Sequence, residues 1–288
     1  MDLAIIVSVE ILYAIASLVL ISAGLAIVFG MMRIINLAHG EFLMMGGYAT
    51  ILAVNAGINV YFAMLVIAPL TVGLIGLAVE RLVIRFLYGR LIDSMLATWG
   101  LSLFFVGAVT MIFGNTTTGI STPIPGFTLG DYQMNGYNLF IIAVTMVLVV
   151  AMYAVMRGTR AGLVARGVMQ GPDMAAALGY NTSRVYMLTF AAGAALSGLA
   201  GGVLAPLIGI VPTSGANYIA KAFITVITGG ASVIAGTLSS ATLLGFFSQT
   251  VTYLSTPVLG ELTLLVVAII LLRLLPQGIT GRFFKGRL

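Results

Sequence analysis

The sequence predicts an all-α fold, a bundle of helices that crosses a lipid bilayer several times. Of the 288 residues, 60% are hydrophobic and only 7% are charged, whereas soluble domains carry roughly 25% charged residues. The mean hydropathy of +1.16 agrees, and 13 basic plus 8 acidic residues are too few to cover a surface that faces water. Disorder is excluded as well, because disordered chains combine low hydrophobicity with high charge.

The apolar runs predict where the helices lie. A helix needs about 20 mostly apolar residues to cross roughly 30 Å of hydrocarbon. Glycines interrupt the 217–254 region at Gly229, Gly230 and Gly236, so we expect broken or re-entrant helices there. The bundle therefore has eight to ten transmembrane or half-membrane helices, predicted from runs at 8–30, 38–55, 61–84, 94–113, 138–156, 186–210, 217–234, 235–254 and 258–275.

The basic residues predict the orientation, because cytoplasmic loops are rich in Lys and Arg. With the N-terminus outside and the C-terminus inside, only Lys221 lies near the outer face. The loop 114–137 has no Lys or Arg and is predicted to be outside. The other twelve basic residues then fall on the cytoplasmic side: Arg33, Arg81, Arg85, Arg90, Arg157, Arg160, Arg166, Arg184, Arg273, Arg282, Lys285 and Arg287.

This distribution predicts one transmembrane domain over residues 1–288, with an inside loop at about 157–184 and no soluble module. The net charge of +5 is explained by the membrane, so it does not indicate nucleic acid. The stretch 193–202 is dense in Gly, Ala and Ser, which lets another helix or a second subunit approach closely.

The composition also excludes several chemistries. Cysteine is absent and His39 is the single histidine, so thiolate sites and histidine-rich metal sites are excluded. Neither Lys221 nor Lys285 lies in a nucleotide-binding P-loop. Acidic residues are predicted at segment ends, which disfavours a proton relay; they are Glu10, Glu41, Glu80, Asp93 and Glu261. We predict that the chain is not an enzyme, with a membrane-embedded hydrolase built on His39 and a serine as a disfavoured alternative.

A polar motif, Asn36-Leu37-Ala38-His39-Gly40-Glu41, follows the first predicted helix. One interpretation is structural: Asn36 caps the next helix and Glu41 lies near the positive end of its dipole. The other interpretation is a polar constriction or gate at the inner end of a permeation path. The sequence alone leaves both open.

A short helix is predicted within the inside loop. Pro172 suits a first helical position, Asp173 suits a first turn, and Gly179 suits the stop. One interpretation is a helix that rests on lipid. Its small apolar face, with no aromatic side chain before Tyr180, favours insertion into a groove on a partner protein; that face consists of Met174, Ala177 and Leu178.

Two further motifs complete the pattern, Lys221-Ala222-Phe223 with Gly229-Gly230 and Gly236-Thr237, and the closing Pro276-Gln277-Gly278-Ile279. The inside loop adds Arg160-Ala161-Gly162 and then Asp173-Met174-Ala175-Ala176-Ala177-Leu178-Gly179-Tyr180-Asn181. Taken together with the polar motif, these segments resemble the permeases of branched-chain amino acid ABC transporters. The resemblance covers nearly the whole chain, with the motifs in the family's order.

The resemblance implies a shorter permease subunit in the cell (inner) membrane. It implies pairing with a second permease, as a heterodimer, with two cytoplasmic ATPases and with a periplasmic or extracellular substrate-binding protein. ATP would be bound by the partner subunits, and this chain would carry no cofactor. The inside helix would be the family's coupling helix, flanked by Arg160 and Arg166, with ATPase contacts at Asp173, Met174, Ala176, Leu178, Gly179 and Asn181.

The substrate is less well determined, because relatives of these permeases import urea, short amides or other small polar compounds. Ala231 and Ser232 follow the glycine pair where the family is often glycine-rich, and Lys221 fits both an amino-acid permease and a snorkelling residue at the outer interface. A stand-alone channel or secondary carrier is the alternative from another class. In the permease interpretation, the predicted translocation path or gate comprises Asn36, His39, Glu41, Gly229 and Gly230.

Overall fold

The computed structural model describes residues 2–130, 132–230 and 232–283. A π-helical stretch (Ala63–Ile67) joins α3 to α4, and a 3-10 turn (Ile84–Phe86) follows α4. The predicted all-α class is confirmed. The helices are α1 (Asp2–Met32), α2 (His39–Asn55), α3 (Val60–Phe62), α4 (Ala68–Leu82), α5 (Leu91–Phe113), α6 (Tyr137–Gly158), α7 (Arg160–Gln170), α8 (Pro172–Ala177), α9 (Thr182–Ile208), α10 (Gly215–Gly229), α11 (Val233–Leu254), α12 (Pro257–Leu274) and α13 (Gly278–Phe283).

One short antiparallel hairpin breaks the helical pattern. It pairs β1 (Phe127–Leu129) with β2 (Tyr132–Met134) inside the loop that is predicted to be outside. The sequence did not predict this hairpin, whose turn contains Gly130 with a φ of +60° in the left-handed region.

Six helical spans within the described ranges are long and apolar enough to cross a membrane. They contain α1, α3–α4, α5, α6, α9 and α12. The helix α2 has 17 residues and is shorter than the 18 that we require of a membrane-spanning helix. The helices α10 and α11 are bent by 113° at their junction, and they form a seventh span if they are counted as one. The predicted polytopic bundle is therefore confirmed, with α2, α10 and α11 as its shorter or bent members. The orientation stays a prediction.

The chain divides into two units, and α1, α6 and α10 each continue from one unit into the other. The α9 unit takes the described residues of Ala23–Ser121 and Ala151–Ala220. The α12 unit takes those of Met1–Ser22, Thr122–Val150 and Lys221–Leu288. The basic Lys285 and Arg287 lie outside the described residues, as does Ala231.

In the α9 unit, the small-residue stretch of α9 packs against α2 and α4. A Cβ atom added at Gly201 would lie 1.8 Å from the backbone oxygen of Leu43 on α2. One added at Gly198 would lie 2.7 Å from Cβ of Val72 on α4. The predicted close approach is therefore made by helices of the same chain, and the backbones touch because no side chain separates them.

The α12 unit is held by polar contacts as well as by apolar packing. Asn138 on α6 donates a hydrogen bond to Glu10 on α1 over 2.8 Å. The helix α1 begins at Asp2, before the predicted segment, so Glu10 lies two turns inside the helix. The amide of Asn138 is a polar partner for this carboxylate, which makes its position inside an apolar helix tolerable.

Candidate functional site

The inside loop forms two helices, α7 and α8, both in the α9 unit. Thr159 caps α7 by accepting a hydrogen bond from the backbone N–H of Gly162 over 3.0 Å. Pro172 opens α8 in the predicted position, and α8 ends at Ala177. The sequence predicted α8 but not α7.

Gly179 ends α8 as predicted. Its φ of +89° lies in the left-handed region, where a residue with a Cβ atom is strained. The backbone N–H of Gly179 donates to the Ala176 oxygen, and that of Tyr180 donates to the Ala175 oxygen. This is the Schellman arrangement, which satisfies carbonyl groups that the end of a helix would leave free.

The side chains of α8 leave an apolar surface uncovered. Met174 is 69% exposed and Leu178 is 72% exposed, and Leu163 of α7 lies nearby with 63% exposure. An exposed apolar patch of this kind is covered by another protein or by the membrane. A groove of about 590 Å³ runs along it, lined by Leu163, Val164, Gly167, Gln170, Gly171, Met174, Ala175, Leu178 and Tyr180. We call this the α7–α8 groove.

The other predicted contact residues have different surroundings. Arg160, Asp173 and Ala176 are exposed, and Arg166 is half-buried, with its Nε donating to the backbone oxygen of Gly162 over 3.4 Å. Asn181 caps α9, because its side chain accepts a hydrogen bond from the Arg184 backbone N–H over 3.0 Å. Sequence reasoning gave Asn181 a contact role and did not recognise this cap.

The polar motif after α1 is buried in the α9 unit, with Asn36, His39 and Glu41 each at most 3% exposed. The prediction that Asn36 caps the next helix is wrong. Ala38 occupies the N-cap position of α2, and Asn36 instead accepts a hydrogen bond from the Ala38 backbone N–H over 3.1 Å. Glu41 lies in the first turn of α2, as predicted.

The structure adds two buried hydroxyl groups to this motif. Nδ1 of His39 lies 3.1 Å from Oγ of Ser197 on α9, and that hydroxyl donates to the Gly193 backbone oxygen over 2.9 Å. Oγ1 of Thr98 on α5 accepts a hydrogen bond from the Leu37 backbone N–H over 3.0 Å. Sequence reasoning missed both, although an uncharged hydroxyl inside an apolar run was the available signal.

Glu41 is the least satisfied member of the buried polar cluster, which comprises Asn36, His39, Glu41, Thr98 and Ser197. Within the described residues its Oε2 atom has no hydrogen-bond partner. Gly215, at the start of α10, presses against this turn: a Cβ atom added there would lie 2.9 Å from Oε1 of Glu41. A polar group in a setting this tight is sensitive to small movements of the surrounding backbone.

Gly229 and Gly230 belong to the α12 unit and are described there alone. They form the predicted break, and Gly230 has a φ of +85°. The closing motif and the residue after it pack onto the break: Oγ1 of Thr280 donates to the Gly229 backbone oxygen over 2.7 Å. A Cβ atom added at Gly230 would lie 2.6 Å from the Gln277 backbone oxygen. The break is therefore a closely packed turn.

Long apolar helices and the exposed helix pair α7–α8 define the class: a polytopic helical membrane protein with an exposed apolar groove outside its spans. Residues 7–275 match the family model described as "Branched-chain amino acid transport system / permease component". The chain belongs to this family. Its role is that of the membrane-spanning permease subunit of an ABC importer.

Several relatives support the assignment. The chain is 30% identical to the high-affinity branched-chain amino acid transport system permease protein BraD of Pseudomonas aeruginosa, over 91% of both chains. It is also 30% identical to the LivH permease protein of Escherichia coli K12, over 91% of both chains. Identity is 27% to a probable LivH permease of Methanocaldococcus jannaschii, over 93% of this chain and 90% of that one. No solved structure matches at a significant level.

Proposed function

We propose that this chain imports branched-chain amino acids, or similar small polar solutes, across the inner membrane. In this proposal it pairs with a second, related permease and works with two cytoplasmic ATPases and a substrate-binding protein. The partners bind and hydrolyse ATP, and this chain carries out no covalent chemistry. The names of its relatives support the substrate class.

The α7–α8 groove carries the proposal. Its exposed methionine and leucine side chains are unfavourable in water unless another surface covers them. The proposed coupling role extends to Arg160, Arg166, Asp173 and Ala176. Of these residues on α7 and α8, Arg160, Asp173 and Ala176 are exposed. The Gly179 stop and the Asn181 cap act indirectly, because they fix the angle at which α8 leads into α9.

In the proposed transport cycle the path opens alternately to each side of the membrane, and the buried polar cluster acts as a gate. Asn36, His39 and Glu41 form the proposed inner gate, and the free Oε2 atom of Glu41 is a ready acceptor for a solute or water when α2 and α10 separate. Gly229 and Gly230 form a second proposed moving point, because glycine residues can change their backbone angles with little steric cost once the contacts with Gln277 and Thr280 are released.

Two alternatives have specific tests. A permease for urea or short amides would take up labelled urea and would not transport labelled leucine. A stand-alone channel or carrier would move solute in vesicles that contain this chain without ATPases, and for that class the α7–α8 groove would simply rest on lipid.

The deciding experiment is co-purification of ATPase chains after gentle detergent extraction. The Asp173→Arg/Leu178→Asp variant should lose the ATPases, because it places a new charge in the apolar groove and reverses another. A matched control is Asp93→Arg/Leu91→Asp at the start of α5, where Leu91 is 48% exposed and Asp93 pairs with Arg90 at the surface. The control should keep the ATPases.

Retention of the ATPases by both variants would place the contact elsewhere and contradict the groove assignment. Absence of ATPases from the wild-type preparation, together with uptake that needs no ATP, would favour the channel or carrier.

A further inference from the structure

One buried carboxylate in the α9 unit is not used by the proposed path or groove. Glu80 lies in the last turn of α4 and is only 2% exposed. The hydroxyl of Tyr88, in the link between α4 and α5, donates a hydrogen bond to its Oε1 atom. A glutamate is almost never this deeply buried without a partner, so this pair joins the link firmly to α4.

Tyr88 is suited to be a permanent donor. It lies outside the membrane-spanning segments, and burial together with the neighbouring Glu80 carboxylate raises the pKa of its hydroxyl above the ordinary value. The hydroxyl therefore stays protonated across the physiological pH range.

The ring of Tyr88 makes the next contact. Its centroid lies 5.0 Å from that of Tyr186 on α9, and the ring planes meet at 63°. Aromatic rings prefer such edge-to-face pairing at this separation. Both rings pack against the apolar core that contains Val79, the residue before Glu80, and Ile84, four residues after it.

Tyr186 lies close to α8 in the chain. It is four residues after Thr182, the first residue of α9, and only four residues separate the end of α8 from the start of α9. A displacement of α8 therefore reaches Tyr186 through a short connection and the first turn of α9.

We propose that Glu80, Tyr88 and Tyr186 form a positioning chain that makes α4 follow movements of the α8–α9 corner. The inference rests on the proposed function, in which ATPases displace α8. A displaced α8 carries the start of α9 and Tyr186 with it. The ring contact then moves Tyr88, and the hydrogen bond to Glu80 moves the end of α4.

The test uses the complete transporter, with its ATPases and binding protein, in proteoliposomes loaded for uptake of labelled leucine. The measured quantity is leucine transported per ATP hydrolysed. Tyr88→Phe keeps the ring contact and removes the hydrogen bond, so the ratio should fall about two- to thirtyfold, the range expected when a coupling residue is altered. Glu80→Gln keeps an acceptor for the Tyr88 hydroxyl and should stay close to the wild-type ratio.

The control is Tyr153→Phe, which removes a hydroxyl from an exposed tyrosine on α6. The ratio of that variant should not change. If Tyr88→Phe yields no folded transporter, Tyr186→Leu breaks the chain at its other contact and should lower the ratio in the same way.

Wild-type ratios in the folded Tyr88 or Tyr186 variant would overturn the proposal, as would a Tyr88→Phe protein that is less stable but equally efficient per ATP. A wild-type transporter whose uptake does not depend on ATP would overturn the proposed function itself, and the positioning chain with it.

Discussion

The contact between α2 and α9 makes Gly201→Ala the most informative single change. The new Cβ atom would lie 1.8 Å from the Leu43 backbone oxygen, 2.6 Å from the Leu43 carbonyl carbon and 2.9 Å from its Cα atom. Real Cβ atoms essentially never approach other heavy atoms closer than 3.0 Å. The two helices must therefore move apart by at least the difference, 3.0 − 1.8 = 1.2 Å, because a backbone atom cannot rotate away.

The size of the effect follows from comparison with a glycine that has room. No atom lies within 4 Å of a Cβ atom built on Gly107, which is also in the interior of a long helix. Both substitutions gain the helix propensity of alanine, about 1 kcal/mol. Only Gly201→Ala has the cost of overpacking, about 1–3 kcal/mol. The difference between the two variants isolates that cost.

The assay is the thermal unfolding of the purified chain in detergent, followed by circular dichroism. We expect Gly107→Ala to melt at or slightly above the wild-type temperature and Gly201→Ala to melt several degrees below it. Equal melting temperatures for the two variants would refute the close backbone contact between α2 and α9.

Two further variants test the helix ends and the α12 unit. Gly179→Val should cost about 1–2 kcal/mol locally, because the φ of Gly179 is +89° and lies in the left-handed region, and it should reduce ATPase co-purification. The matched control is Gly57→Val, because Gly57 also has a left-handed φ of +85°, has no atom near its Cβ position and lies outside the α7–α8 groove; this variant should keep the ATPases. Equal co-purification by the two variants would count against the α8 assignment. Asn138→Ala removes the hydrogen-bond donor to Glu10 and should lower the free energy of unfolding by about 1–3 kcal/mol. The control is Thr263→Ala, which should be nearly neutral because the exposed Thr263 hydroxyl bonds to its own helix. Coinciding melting curves for the two variants would contradict a stabilising role of the Asn138–Glu10 hydrogen bond.

Local features of the fold could be predicted because their causes lie close together in the chain. The α8 helix follows from Pro172 and Gly179, which act on their own backbone. The glycine break at 229–230 follows in the same way. The α7 helix was missed because Gly162 and Gly167 disfavour a helix, and the Thr159 cap that compensates was not recognised.

Contacts between distant residues could not be predicted from one sequence. His39 and Ser197 are 158 residues apart, and nothing in either segment specifies the other. The 193–202 stretch predicted a close neighbour, but any small-residue face would have fitted it. Burial of Glu80 was missed for a different reason: its partner Tyr88 is only eight residues away, but it lies beyond the end of α4 and looks like an ordinary loop residue.

The structure of α9 explains why stability and coupling should be separable. Ser197 lies 15 residues after the start of α9, about 22 Å along a continuous helix, so a displacement at α8 reaches the buried polar cluster through one stiff element. Farther along, the contact of Gly201 with Leu43 is made by backbone atoms, which cannot adjust as long side chains can. Gly201→Ala should therefore lower both the melting temperature and the leucine transported per ATP. Tyr88→Phe alters a side link between α4 and this helix, so it should lower the transport ratio more than its effect on the melting temperature accounts for.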